Sequence, residues 1–160
     1  MEKLINQISL FQVSEIQLSY RLKIKASERP KIASSGDVYK VLLNNWDLDT
    51  LELRETLKIL LLNRGNRILG IYEVSTGGMA GTVADPRLIF CAALKSAASS
   101  LILTHNHASG QLKPSSADLA STKKVSHADK FLEIDVLDHL IIAANRYYTP
   151  LLMKGSCSPF

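Results

Sequence analysis

The stretch of this 160-residue chain with the clearest chemical potential is His105-Asn106-His107 followed, after ten intervening residues, by Asp118. Two histidines at i and i+2 on an extended segment point to the same side, so both imidazoles can reach one metal ion. A carboxylate one loop later, at the start of a helix, can close the third corner. Two neutral imidazoles and one carboxylate suit Zn²⁺, and three protein ligands leave the fourth position for water. Such an open site is catalytic in character. The metal lowers the pKa of its water toward about 7, and a base must still accept the proton during attack. Plainer readings exist: Ser115-Ser116-Ala117-Asp118 is also a capping box, with Ser115 as N-cap, and His-Asn-His would serve as a polar loop. Metal is favoured because two of the four histidines fall together directly after the buried run Leu101–Thr104. That strand edge is where α/β sheets gather their sites.

The elements that must hold these side chains are read from periodicity. Residues 1–13 read as a loosely attached arm, and Ser14–Ile24 alternates with the two-residue period of a half-buried strand. Pro30 to Gly36 is a loop, and Ser34 or Ser35 caps a helix over Asp37–Trp46. Leu51–Thr56 is compatible with helix or strand. Leu57–Asn63, the turn Arg64-Gly65-Asn66 and Ile68–Ser75 make a hairpin. Asp85 caps a helix with Pro86 at its first position, running to Ala98. Leu101–Thr104 is a strand, Ser115 opens a helix through Lys130, Val136–Ala144 is another strand and Tyr147–Met153 a last one. This order predicts an α/β sandwich on a mixed sheet. Residues 1–35 supply the arm and first strand, and 36–155 the domain proper.

With 46% apolar and 21% charged residues, the chain has the composition of one soluble globular domain. Its net charge of +4 is scattered, so contact with nucleic acid is permitted but expected to be weak and salt-sensitive. No uncharged apolar run reaches the ~18–20 residues of a membrane span, so no membrane partner is expected. Cys91 and Cys157 form no CxxC, and Cys91, within Leu88–Leu94, reads as a small buried hydrophobe. A reducing compartment fits this usage. Asn6, Gln7, Ser9 and Gln12 interrupt any signal-peptide core, which points to the cytoplasm. No feature of the sequence specifies an oligomeric state.

Glu73, then His105-x-His107, seven residues, Ser115, two residues and Asp118 resembles the JAMM (JAB/MPN) metalloprotease motif. The flanking residues are similar to its RadC-like branch over about 36–155. They include Arg64-Gly65-Asn66-Arg67-Ile68-Leu69-Gly70, Asp85-Pro86-Arg87, Leu103 to His107, Lys113-Pro114-Ser115 and Leu137-Asp138-His139. The resemblance implies a JAMM, cytidine-deaminase-like α/β sandwich: a mixed, curved β-sheet flanked by helices, with zinc at one strand end. It implies His105, His107 and Asp118 as metal ligands and Glu73 as the general base. Ser115 would donate to the developing oxyanion, and the Asp138–His139 pair would orient a ligand. The implied activity is hydrolysis of a peptide or isopeptide bond, in a branch that carries a DNA-repair label.

By pattern alone, Glu73 is a solvent-facing strand residue, Ser115 a helix cap and His139 a histidine satisfied at a sheet edge. Three departures accompany the resemblance. Ala108 stands where the family has proline, and Leu88 where it has glutamate. The helix–hairpin–helix module of longer relatives is not among these residues, so DNA binding by that route is not carried over. Two other functions stay open. One is a metal-dependent nuclease or DNA-processing accessory, although a single zinc without an arginine clamp is a sparse phosphoryl-transfer site. The contiguous His-Asn-His does not argue for an HNH nuclease, whose three residues are dispersed over a ββα-metal unit. The other is a binding module without turnover. His127 reads as exposed, and Trp46, Tyr147 and Tyr148 as core or rim packing.

Overall fold

The computed structural model describes residues 14–17, 19–78 and 82–149. The apolar run Thr56–Leu62 forms β1, buried along almost its whole length, as expected for a strand covered on both faces. β2 (Ile68–Thr76), β3 (Ser100–Asn106), β4 (Asp135–Ala143) and β5 (Arg146–Tyr148) join it in the order β2-β1-β3-β4-β5. β1 runs antiparallel to β2 and β3, β3 parallel to β4, and β4 antiparallel to β5, so the sheet is mixed. In the β1–β2 turn, Asn63 Oδ1 accepts from the amides of Gly65 and Arg67 at 3.0 and 2.9 Å. This leaves Asn66 at φ 56°, a left-handed conformation that asparagine tolerates.

Among the described residues, three helices cover the sheet: α1 (Ser35–Asn44), α2 (Pro86–Lys95) and α3 (Ser116–Leu132). Ile89, Phe90 and Ala93 of α2 and Val125 of α3 pack on Leu57, Ile59, Leu61, Leu101 and Leu103. Val38 and Leu42 of α1, with Ile32, Trp46 and Leu51, pack on Leu60, Leu62, Ile102, Leu140 and Ile142. Each fully buried Leu or Ile here contributes about 1.5–3 kcal/mol of transfer free energy. The parallel pair β3–β4 requires a crossover, and α3 supplies it. The helix therefore starts where β3 ends, and this brings Asp118 near the histidines.

The structure departs from the sequence reading at several elements. The described residues of Ser14–Ile24 form no strand, and Ile16, Leu22 and Ile24 are exposed. The Tyr20 hydroxyl, donating to Leu69 O at 2.6 Å, ties this segment to β2. Alternation yields a strand only with a ladder partner and a face to bury. Residues 51–55 are a turn following a short 3₁₀ helix, Leu48–Thr50. α2 stops at Lys95 rather than Ala98, because Ala97 takes φ 52°. The amides of Ala98 and Ala97 then bond back to Ala93 O and Leu94 O, closing the helix end. Cys91 is exposed rather than buried, since the helix turns Ile89, Phe90 and Ala93 inward instead. Cys157, residues 1–13 and the predicted strand beyond Thr149 lie outside the described residues.

Candidate metal centre

Successive residues of β3 face opposite sides of the sheet. His105 lies in register with Leu57 and Ile141, on the side covered by α2 and α3. Asn106 faces the other way and is fully buried. Its Oδ1 accepts from Thr56 N at 2.8 Å, and its Nδ2 donates to Leu51 O at 2.6 Å and Arg54 O at 2.8 Å. The residue between the two histidines is thus a clip that fixes the end of β3 to β1 and the 51–54 turn. His107 begins the next loop. Its Nδ1 lies 2.7 Å from Gln111 O, and its carbonyl accepts from Gly110 N at 2.9 Å. Gly110 has φ 71°, a conformation glycine adopts freely. These contacts close the loop that contains Ala108.

At the start of α3 the capping box is complete. Ser115 Oγ accepts from Asp118 N at 3.1 Å, and Asp118 Oδ2 accepts from the Ser115 amide and hydroxyl, each at 2.7 Å. Asp118 is thereby aimed at the histidines: Oδ1 is 3.3 Å from His105 Nε2, and Oδ2 is 3.3 Å from His107 Nε2. The two Nε2 atoms are 2.9 Å apart. The three ligand-type atoms are mutually within 4.8 Å, so the group can hold a metal ion. Partial burial works to raise the Asp118 pKa. The contact with His105 and hydrogen bonds from the Ser115 hydroxyl and amide outweigh it, holding the carboxyl far below its usual range.

The donor set fits zinc on a physical test. A tetrahedral ion with bonds of 2.0–2.1 Å to nitrogen separates its ligand atoms by about 3.3 Å, close to the spacing here. Gln111 O can only accept, so His107 Nδ1 carries the hydrogen and a neutral His107 presents a lone pair at Nε2. That lone pair faces His105 Nε2 at 2.9 Å, where it can accept a hydrogen or bind a cation.

Behind His105 lies a second histidine. His105 Nδ1 is 2.8 Å from His139 Nε2, and His139 Nδ1 is 2.5 Å from Thr122 Oγ1. Thr122 in turn donates to Asp118 O at 2.7 Å. His139 is 3% exposed. Burial, and then repulsion from His105, push its pKa down to about 3, so it is neutral. Its neighbour Asp138 faces the α1 side, where it accepts from Ser35 Oγ (2.9 Å), Thr149 Oγ1 and the His139 amide (2.8 Å). Burial raises its pKa despite these bonds. The pair expected to orient a ligand is therefore split by the sheet: His139 contacts His105, and Asp138 anchors α1 and the end of β5.

Glu73 is not brought to this cluster. It lies in register with Lys58, which lies opposite Thr104, so its side chain is on the α1 face. There its Oε1 accepts from Thr76 Oγ1 at 2.7 Å, and its Oε2 is 3.6 Å from Lys58 Nζ. Lys58 Nζ also sits 4.6 Å above the Trp46 ring. An irregularity in pairing between Leu57 and Lys58 sets this outcome, leaving Val74 as the extra residue of a bulge in β2. The structure thus brings together His105, His107, Asp118 and Ser115, with His139 behind them, and separates Glu73 and Asp138 from the group. Sequence reasoning missed Asn106 and Thr122. Thr122 stands four residues after Asp118, on the same face of α3, a spacing visible in the sequence.

A family model described as the RadC-like JAB domain matches residues 32–154. A UPF0758 protein of Flavobacterium johnsoniae is 45% identical over 95 residues, covering 59% of this chain and 42% of the relative. A UPF0758 protein of Clostridium botulinum, strain Okra, is 35% identical over 162 residues, covering 92% of this chain and 70% of the relative.

Proposed function

This chain belongs to the RadC-like JAB domain family, and on that premise we propose that it is a zinc-dependent hydrolase domain of JAMM type, cleaving a peptide or isopeptide bond. The observation that carries the reading is the convergence of His105, His107 and Asp118, with ligand atoms 2.9–3.3 Å apart. Zinc bound there supplies a Lewis acid and lowers the pKa of its water toward about 7.

The chain's own residues then have distinct tasks. His105 and His107 present Nε2 lone pairs, held in that orientation by His139 and Gln111 O at their far nitrogens. Asp118 supplies the anionic ligand, and the Ser115 hydroxyl, which donates to it at 2.7 Å, would have to redirect that hydrogen to serve an oxyanion. His107 and Asp118 are partly open to solvent while His105 is buried, which leaves one side for a substrate carbonyl. Glu73, the base implied by the motif, stands across the sheet with Lys58, and this placement supports a second reading: a metal-holding module without turnover.

The test is a purified sample assayed for zinc, then for cleavage of peptides and isopeptide-linked peptides beside single- and double-stranded DNA. One zinc per chain with peptide cleavage abolished by Asp118→Asn supports the proposal. Zinc without cleavage leaves the binding module, and cleavage of DNA alone establishes a nuclease.

A further inference from the structure

The contacts behind His105 form a closed path. It runs from His105 Nδ1 to His139 (2.8 Å), from His139 to Thr122 Oγ1 (2.5 Å), and from Thr122 to Asp118 O (2.7 Å). His139 and Thr122 are both buried. We propose that Thr122 and His139 are positioning residues. They form a one-directional relay that locks His105 in its ligand tautomer and couples it to the backbone of Asp118.

The direction of every hydrogen follows from the last link. A peptide carbonyl can only accept, so the Thr122 hydroxyl spends its single hydrogen on Asp118 O. Toward His139 that oxygen can then only accept, so His139 Nδ1 must carry a hydrogen. With its hydrogen placed on Nδ1 by Thr122, His139 turns the lone pair of Nε2 toward His105. It accepts from His105 Nδ1, which leaves His105 Nε2 bare and aimed at Asp118 and His107. Each link has one donor and one acceptor, and no hydrogen is left over. The relay also joins the two arms of the centre. His105 comes from β3 and Asp118 from α3, and Thr122 is bonded toward both. A histidine reached through another histidine replaces the carboxylate or carbonyl that usually fixes a metal-binding imidazole.

The inference rests on the metal reading above, and its test separates the two. Thr122→Val keeps the shape and removes the hydroxyl, whereas Thr122→Ser keeps the hydroxyl. His139→Gln can accept from His105 and donate to Thr122, whereas His139→Phe can do neither. Zinc affinity is measured by competition with a chromophoric chelator, and the visible spectrum of the Co²⁺-loaded protein reports ligand geometry. Melting of the metal-free forms controls for folding. We expect Thr122→Val and His139→Phe to weaken zinc by about 10- to 100-fold with an altered Co²⁺ spectrum. Thr122→Ser should restore both. If wild type binds one zinc and Thr122→Val binds it equally well with an unchanged spectrum, the relay is overturned while the metal reading stands. If wild type binds none, both fall. Should Thr122→Val fail to fold, the contrast between His139→Gln and His139→Phe decides on the same readouts.

Discussion

Asp138 and His139 are adjacent in the chain yet serve opposite faces of β4, one anchoring α1 and the other backing His105. The same two-sidedness governs Glu73. The motif it resembles would make it a base, but strand parity decides where a side chain points, and the bulge at Val74 turns it toward Lys58. The pair it makes there is half-exposed, and such pairs contribute under about 1 kcal/mol. Glu73→Gln is therefore expected to keep full zinc content and nearly full stability. In this fold its effect on turnover is expected to be no more than a few-fold. A loss beyond about 100-fold with zinc retained would instead reinstate Glu73 as the base that the motif implies. The grouping of His105, His107 and Asp118 was legible in the sequence because two histidines and a cap carboxylate are close in the chain. The face on which Glu73 lies was not, because one inserted residue reverses it and leaves no trace in composition or spacing.

At the scale of elements, the strength of β3 as a platform comes from Asn106. Its three buried bonds hold the strand end, β1 and the 51–54 turn together. Asn106→Ala leaves Thr56 N, Leu51 O and Arg54 O without that partner, at about 1–3 kcal/mol for a buried unsatisfied group. The expected loss is about 2–4 kcal/mol in urea unfolding, with zinc affinity falling as the flanking histidines loosen. Glu52→Ala, in the neighbouring turn, should change neither. Most elements were readable because caps and breaks announce them: Ser34 and Ser115 with their capping boxes, Pro86 at a helix start, and the Asn63–Asn66 turn. The segment 14–24 misled because its alternation is local, whereas a strand needs a partner that the sequence does not specify. Cys91 misled because an apolar run conceals which side of a helix faces out.

At the scale of the molecule, the two cores on either side of the sheet are built of apolar side chains and include none of His105, His107 and Asp118. Chelation should therefore leave a cooperative melt. At zinc a thousand-fold above Kd the lost stabilisation is about 4 kcal/mol, worth roughly 10 °C in Tm for a chain of this size. A broad, non-cooperative apo melt would instead make the metal structural. The metal-free protein should also weaken in mild acid. His139 is held neutral with its pKa near 3, whereas an unfolded histidine protonates near 6.5, so the unfolded state binds the extra proton between those values. Stability should fall as pH drops from about 6.5, by a few kcal/mol at most. Asp138, whose pKa is raised by burial, acts with the opposite sign and offsets part of this. In thermal scans His139→Phe should flatten the slope. The topology also sets an order of events during synthesis. His105, His107 and Asp118 lie within one short stretch, so closing that loop costs little chain entropy. A growing chain can gather all three before β4 has left the ribosome. His139 arrives only with β4, so the ligands assemble first and the lock behind them closes last.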